Sequence, residues 1–187
     1  MRIIGGNLKG KKILSTNDKK TRPLKDLVRE SIFNILKHSK NEYVNLEGAT
    51  ILDLFSGTGS FGIECLSRGS KKAIFVENYN NTIKILKKNL ENLKLIKFSK
   101  IIEEDSYFLS KSQINFGRFD LIYLDPPFQD TKINQIIKNL KKMEITSQST
   151  VVVIHRNKKI IEKISKDFIV TREEKYGLSK ILFGKIF

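Results

Sequence analysis

Four acidic residues, Asp53, Glu77, Asp105 and Asp125, fall at or near the ends of short apolar runs, and Asp125 opens the tetrapeptide Asp125-Pro126-Pro127-Phe128. A strand has no use for an acid followed by two prolines, which cannot donate to a ladder, so this stretch reads as a rigid turn that displays a carboxylate. Asp53 lies within Ile51-Leu52-Asp53-Leu54-Phe55, four residues before Gly57. Gly57, Gly59 and Gly62 fit the G-x-G-x-x-G spacing that lets a backbone and a helix N-terminus approach a ligand. A carboxylate at that place opposes a pyrophosphate but attracts an ammonium group, such as the one on the methionine part of S-adenosylmethionine. Glu77, followed by Asn78, comes 24 residues after Asp53, where an acid accepts hydrogen bonds from ribose hydroxyls in NAD and adenosyl cofactors alike. Asp105, followed by Ser106, can accept from an adenine amino group. Structural roles compete at each place: the glycines as a tight turn, Asp53 and Asp105 as helix caps.

Chemistry of this kind needs elements that bring the acids to one edge. Short apolar runs at 51–55, 73–76, 98–102, 119–124 and 151–154, with one or two more between 168 and 187, read as strands. Helical stretches intervene: one from Ser60 to Arg68 closed by Gly69, one lined by Ile83, Leu86, Leu90 and Leu93, and others near 106–113, 131–142 and 158–166. Ahead of them, Leu24, Leu27, Val28, Ile32, Ile35 and Leu36 mark an amphipathic helix, with Thr21 as N-cap and Pro23 in its first turn. Parallel strands need crossover connections, so the alternation predicts a doubly wound, mostly parallel α/β sheet. Ligands of such sheets bind beyond the carboxyl ends of the strands, where the four acids stand. The expected organisation is a basic extension with its helix over residues 1–45 and a catalytic domain over 46–187.

The 187 residues are 40% hydrophobic, enough for one core, and no stretch of ~20 apolar residues or secretory leader appears, so a cytoplasmic protein is expected. The single cysteine, Cys65, reads as a small core residue. A net charge of +15 suits a polyanion partner, but the basic residues are 28 Lys against 7 Arg, alongside 26 Ile and 14 Asn, a joint excess that an AT-rich coding bias also produces. Distribution is more telling than total. Residues 1–25 carry eight basic side chains, Arg2, Lys9, Lys11, Lys12, Lys19, Lys20, Arg22 and Lys25, against one acid, Asp18.

Asp125-Pro126-Pro127-Phe128 resembles the D/N-P-P-Y/F signature of adenosylmethionine-dependent methyltransferases that act on exocyclic or amide nitrogens. Such a nitrogen is a poor nucleophile because its lone pair is delocalised. The Asp125 carboxylate and the Pro126 carbonyl can accept its N–H hydrogens, the prolines hold that carbonyl rigid, and Phe128 offers a face on which a base stacks. Further stretches add to the likeness: Met1-Arg2-Ile3-Ile4-Gly5-Gly6, Thr21-Arg22-Pro23, Val28-Arg29-Glu30-Ser31-Ile32-Phe33-Asn34, and Leu52-Asp53-Leu54-Phe55-Ser56-Gly57-Thr58-Gly59. In collinear order they resemble the bacterial 16S rRNA guanine-N2 methyltransferase family across essentially the whole chain. The resemblance implies a Rossmann-like seven-stranded sheet with a short N-terminal extension, S-adenosylmethionine as cofactor and no metal. Its expected substrate is a guanine amine of 16S rRNA, in the small ribosomal subunit or an assembly intermediate, with the protein acting as a monomer. By position it assigns Asp53, Gly57, Gly59, Glu77, Asn78, Asp105 and Ser106 to the cofactor and Asp125, Pro126, Pro127 and Phe128 to the base. Lys9, Lys11, Lys12, Arg22, Lys25 and Arg29 are the expected RNA contacts, chosen for their clustering.

Three other readings stay open on the sequence, one of them a non-catalytic RNA-binding module that retains the fold, against which the intact strand-end acids argue. The glycine spacing also suits an NAD-dependent oxidoreductase, which leaves Asp53 and the proline turn without purpose. The tetrapeptide is shared with enzymes that methylate adenine N6 or a protein amide. His38 and His155 have no partner at catalytic spacing and read as ordinary residues, His155-Arg156 as a stretch that can line an RNA cleft, and Tyr123 and Tyr176 as packing.

Overall fold

The alternating pattern folds as its spacing requires, into strands joined by crossover helices. The computed structural model describes residues 1–16, 26–127, 129–160 and 162–187. Among them run α1 (Asp26–His38), β1 (Thr50–Leu54), α2 (Ser60–Ser67), β2 (Lys72–Val76), α3 (Asn80–Asn92), β3 (Ser99–Ile102), β4 (Leu121–Leu124), α4 (Ile133–Met143), β5 (Val151–Asn157), β6 (Phe168–Tyr176) and β7 (Ser179–Ile186). They form one seven-stranded sheet in the order β3-β2-β1-β4-β5-β7-β6. The first five strands are mutually parallel; β7 runs antiparallel to β5 and to β6, because β6 and β7 form a hairpin that turns at Gly177-Leu178. The chain reverses direction across the sheet between β1 and β4, the position at which doubly wound folds open a ligand crevice.

Side-chain alternation along the strands divides the core. Ile51, Phe75, Tyr123 and Val153 point to one face, where α1, α2 and α3 cover them, and Leu52, Ile74, Ile122 and Val152 point to the other, under α4 and the chain from Tyr107 to Phe119. Residues 1–13 form a small hairpin: the Ile3 N–H donates to the Lys11 carbonyl at 3.0 Å, the Ile13 N–H to the Met1 carbonyl at 2.9 Å, and Arg2 bridges Lys12. It seats Ile3 and Ile13, both fully buried, in the core shared by α1, α2 and α3.

The seat is built from side chains of two helices. Buried Glu64 on α2 accepts the N–H groups of Ile4 and Gly5, each at 2.8 Å, and the Ser67 hydroxyl donates to the Gly5 carbonyl while accepting from the Leu8 N–H. On α3, buried Asn89 pairs with Leu14 as a strand would, accepting its N–H at 2.8 Å and donating to its carbonyl at 3.0 Å. The same Asn89 amide donates to the Thr58 carbonyl at 3.0 Å, which ties the extension to the glycine loop.

Two expected helices are absent among the described residues. Residues 106–113 form turns because serine and glutamine side chains compete for the backbone: the Ser110 N–H donates to the Gln113 side-chain oxygen and the Ser110 and Ser112 hydroxyls pair. Residues 158–160 and 162–166 are turn and extended chain, with the Lys159 and Ser165 N–H groups taken by the side chains of Asn157 and Asn134. Thr21 and Pro23, the expected start of the first helix, lie outside the described residues.

Candidate active site

The sheet sets four carboxylates at the carboxyl ends of four successive strands, β3, β2, β1 and β4. Asp53 pairs in register with Phe75 on one side and Tyr123 on the other, so it lies at the middle of that edge. It is 1% exposed, and its Oδ2 accepts the Gly62 N–H at 2.9 Å. This is the capping role for which the sequence left room, and it bonds the third N–H of α2. Gly59 and Gly62 permit the approach. Gly59 has φ 85°, and a Cβ on it would stand 2.4 Å from Leu86; a Cβ on Gly62 would stand 2.4 Å from the Phe75 ring and 3.1 Å from the Asp53 carboxylate. Gly57 is different, since the space beyond its Cα is open.

Burial, with smaller contributions from the charges of Asp125 and Glu77, pushes the Asp53 carboxyl up to about 8. Among the described residues no lysine or arginine pairs with Asp53, Glu77 or Asp105. Glu77 gathers three backbone donors, the N–H groups of Asn78 and Tyr79 on Oε1 and of Gly57 on Oε2 at 2.8 Å, which leaves a lone pair of its roughly four for a hydroxyl. Asn78 is exposed beside it. Asp105 holds the Tyr107 N–H, and the buried Ser106 hydroxyl accepts from the Phe55 N–H. Phe55 turns the chain out of β1 at φ 57°, a strained value for an aromatic residue, with its ring edge-on to Tyr107 at 5.4 Å. An edge that is rich in carboxylate acceptors and short of positive charge, with open space at Gly57, fits a ligand carrying an ammonium or sulfonium, ribose hydroxyls and an adenine amino group.

Asp125 follows β4 directly, its N–H continuing the ladder to the Leu54 carbonyl at 3.3 Å. Its carboxylate is held by side chains instead of amides. Oδ1 lies 2.8 Å from His155 Nδ1 on β5, and Oδ2 accepts from the Tyr123 hydroxyl at 3.4 Å. Tyr123 is a packing residue, as expected, stacked on Phe61 with centroids 3.8 Å apart, yet its hydroxyl reaches the site. Burial and the neighbouring carboxylates push its phenol well above the usual value, so it is a proton donor throughout the physiological range. Pro126 is buried and Pro127 accepts the Asp130 N–H at 2.8 Å, closing the turn. Phe128 lies outside the described residues.

Of the expected RNA contacts, Lys9, Lys11 and Lys12 are exposed on the hairpin, while Arg22 and Lys25 lie outside the described residues. Arg29 is a correction. Its side chain is 0% exposed and donates to the Arg2 carbonyl, to the Asp26 carboxylate at 3.1 Å and towards the Met1 sulfur, so it clamps the extension to α1 and cannot reach a phosphate. Arg156, expected to line a cleft, is likewise buried; it pairs with both oxygens of Glu162 and donates to the Asp130 carbonyl, bracing the far end of the proline turn. The sequence held no signal for the contact of His155 with Asp125 or of Arg156 with the proline turn, because strand pairing and not spacing delivers them; Tyr123 stands two residues before Asp125 on the same strand, a spacing that puts both side chains on one face. Cys65 is buried, as its type predicts.

The seven-stranded sheet is that of solved methyltransferases. A putative methyltransferase of Escherichia coli superposes with a TM-score of 0.81, covering 100% of this chain and 97% of that one at 23% identity. A putative methylase of Haemophilus influenzae gives 0.79, with 100% and 98% covered at 27% identity. Within this class the chain belongs to the family described as conserved hypothetical protein 95, whose model matches residues 1–185. A putative rRNA methyltransferase of Bacillus subtilis is 31% identical over 99% of this chain and 98% of its own length. Ribosomal RNA small subunit methyltransferase D of Haemophilus influenzae is 37% identical over 75% of this chain and 70% of its own.

Proposed function

We propose that this chain is a cytoplasmic, monomeric rRNA methyltransferase that transfers a methyl group from S-adenosylmethionine to the exocyclic N2 amine of a guanine in 16S rRNA, within the small ribosomal subunit or an assembly intermediate. The observation that carries the reading is the row of carboxylates along the strand edge ending in the proline turn at Asp125. The whole-length family match and the names of the relatives support the ribosomal substrate, and no helix among the described residues is long and apolar enough to cross a membrane. A pyrophosphate at the glycine loop would meet the Asp53 carboxylate, and a dinucleotide leaves the proline turn at Asp125 without a purpose, which disfavours that ligand.

When bound, S-adenosylmethionine supplies an activated methyl on a positively charged sulfur, and the reaction yields S-adenosylhomocysteine, a methylated amine and one proton. Asp53 would face the ammonium end, Glu77 the ribose and Asp105 with Ser106 the adenine. Asp125 and the Pro126 carbonyl would accept the two N–H groups of the target amine and aim its lone pair, an orienting contribution of up to ~7–11 kcal/mol in favourable cases. The amine must leave its base pair to reach this turn, at a cost of a few kcal/mol that phosphate contacts from Lys9, Lys11 and Lys12 would offset.

The test is incubation with tritiated S-adenosylmethionine and small subunits lacking base methylation, followed by nuclease mapping and mass spectrometry of the labelled nucleoside. N2-methylguanine in 16S rRNA is expected. Label on adenine N6, or on a protein glutamine, would redirect the substrate assignment while keeping the cofactor.

A further inference from the structure

The proline turn leaves one question that its own residues do not answer: what decides which way the Asp125 carboxylate points. Asp125 is only partly buried and precedes two residues that cannot donate from their backbone, so the adjoining chain offers it none of the amide donors that fix Glu77 and Asp105. The fixing groups come from β5 and β7. His155 is 5% exposed, with Nδ1 2.8 Å from Asp125 Oδ1 and Nε2 2.8 Å from the hydroxyl of Ser179, itself 6% exposed. Strand pairing sets that chain of contacts: the parallel register of β4 and β5 puts Leu124 opposite Ile154, so Asp125 and His155 follow side by side, and antiparallel β5 and β7 put His155 opposite Ile181 and Asn157 opposite Ser179.

We infer that His155 is a positioning residue for methyl transfer, holding Asp125 Oδ1 through an Nδ1–H donor so that Oδ2 is left to receive the substrate amine, with Ser179 fixing the imidazole tautomer. The inference rests on the methyltransferase reading of the site. An ionised carboxylate is acceptor only, so the ring nitrogen facing it must carry the hydrogen. Neutral imidazole then presents a bare Nε2, and the Ser179 hydroxyl donates to it. The ring cannot swing, since it is bonded at both ends and walled in by the sheet. Tyr123 limits Oδ2 from below, on the same strand. With one oxygen clamped and the other restrained by a longer contact, the carboxylate has a single orientation before any base arrives, which is the preorganisation that transfer to a weak nitrogen nucleophile requires.

The test separates the donor from the shape. His155→Asn keeps an N–H near the position of Nδ1, whereas His155→Leu keeps the bulk and removes it. In His155→Leu, kcat on small subunits is expected to fall roughly 10- to 100-fold, the range seen when a supporting partner of a site residue is lost. KM for the subunits and the calorimetric Kd for S-adenosylhomocysteine stay within about threefold, a margin below one hydrogen bond to a charged group. His155→Asn is expected to recover most of kcat, and Ser179→Ala to lie between it and the wild type. A second readout needs no turnover. The chain has two histidines, and His38 is exposed at the end of α1, so imidazole 15N spectra of the wild type and of a His38→Gln variant isolate His155. Its expected state is Nδ1 protonated with Nε2 as acceptor, changed by Asp125→Ala. Wild-type kcat in His155→Leu, equal losses in the Leu and Asn variants, or an Nε2–H tautomer would overturn the positioning role and leave the functional reading intact. A wild-type protein that shows the expected tautomer and binds S-adenosylhomocysteine, yet labels no RNA, would overturn the functional reading, and the role in transfer with it.

Discussion

Asp53, Glu77 and Asp105 differ from Asp125 in how they are held. The first three accept N–H groups of the chain that immediately follows the strands, from Gly62, from Gly57, Asn78 and Tyr79, and from Tyr107. Asp125 is held by a histidine 30 residues away and a tyrosine on its own strand. A carboxylate capped by nearby amides is fixed by backbone geometry and tolerates little local change. One held by side chains can be released by single substitutions without disturbing the fold. The half of the edge that would hold a cofactor is therefore rigid by construction, and the half that would present a base is adjustable.

Asp125→Ala should break this contrast most sharply: methyl transfer is expected to fall on the order of 10²–10³-fold, as when one preorganised polar group is removed from a reaction centre, with S-adenosylhomocysteine affinity nearly unchanged. Single-turnover assays beside calorimetry measure both. Glu77→Gln acts on the other half and should weaken S-adenosylhomocysteine by roughly 10- to 100-fold, the worth of a hydrogen bond to a charged group, with a smaller effect on kcat than on affinity. Gly59→Ala should destabilise the fold by about 1–3 kcal/mol in urea melts, since the new methyl meets Leu86 at 2.4 Å and the backbone is left-handed there.

A subtler measurement concerns Asp53. Because its folded carboxyl is raised to about 8, the folded chain holds more protons than the unfolded one between about pH 4 and 8, and this group's contribution to stability falls as pH rises through that window. A cation placed beside it lowers that value again, so binding of S-adenosylhomocysteine at neutral pH should release a fraction of one proton. Calorimetry in buffers of different ionisation enthalpy reads this release, and Asp53→Asn should abolish it. The smallest effect is expected on the hairpin: replacing Lys9, Lys11 and Lys12 by Gln should shallow the salt dependence of RNA binding by roughly 2, at ~0.7 per phosphate contact on single strands.

What the sequence disclosed follows the same division. The strand-end acids, the glycine loop and the α/β class were legible because each depends on residues within a few positions of one another. The register of β5 against β4 and the antiparallel placement of β7 were not, and with them went His155, which the first sets beside Asp125 and the second beside Ser179. Arg29 misled for a related reason: charge and proximity to a basic leader suggest a surface, while its three contacts draw it into the core. The stretch at 106–113 misled because a helix was expected between two strands, and side-chain capture of the backbone by Ser110 and Gln113 holds it in turns instead.

Asn89 joins Leu14 to Thr58, and Glu64 joins Ile4 and Gly5 to α2, across separations of 75, 60 and 59 residues. During synthesis the basic hairpin thus leaves the ribosome well before the α2 and α3 side chains that seat it. Arg29 of α1 can hold the hairpin first and Glu64 with Ser67 of α2 next, but until α3 has emerged the glycine loop lacks one of its struts. The contact that joins this hairpin to the ligand loop needs Asn89, so it can form once β1, α2, β2 and α3 have been made and before Asp105 and Asp125 have been.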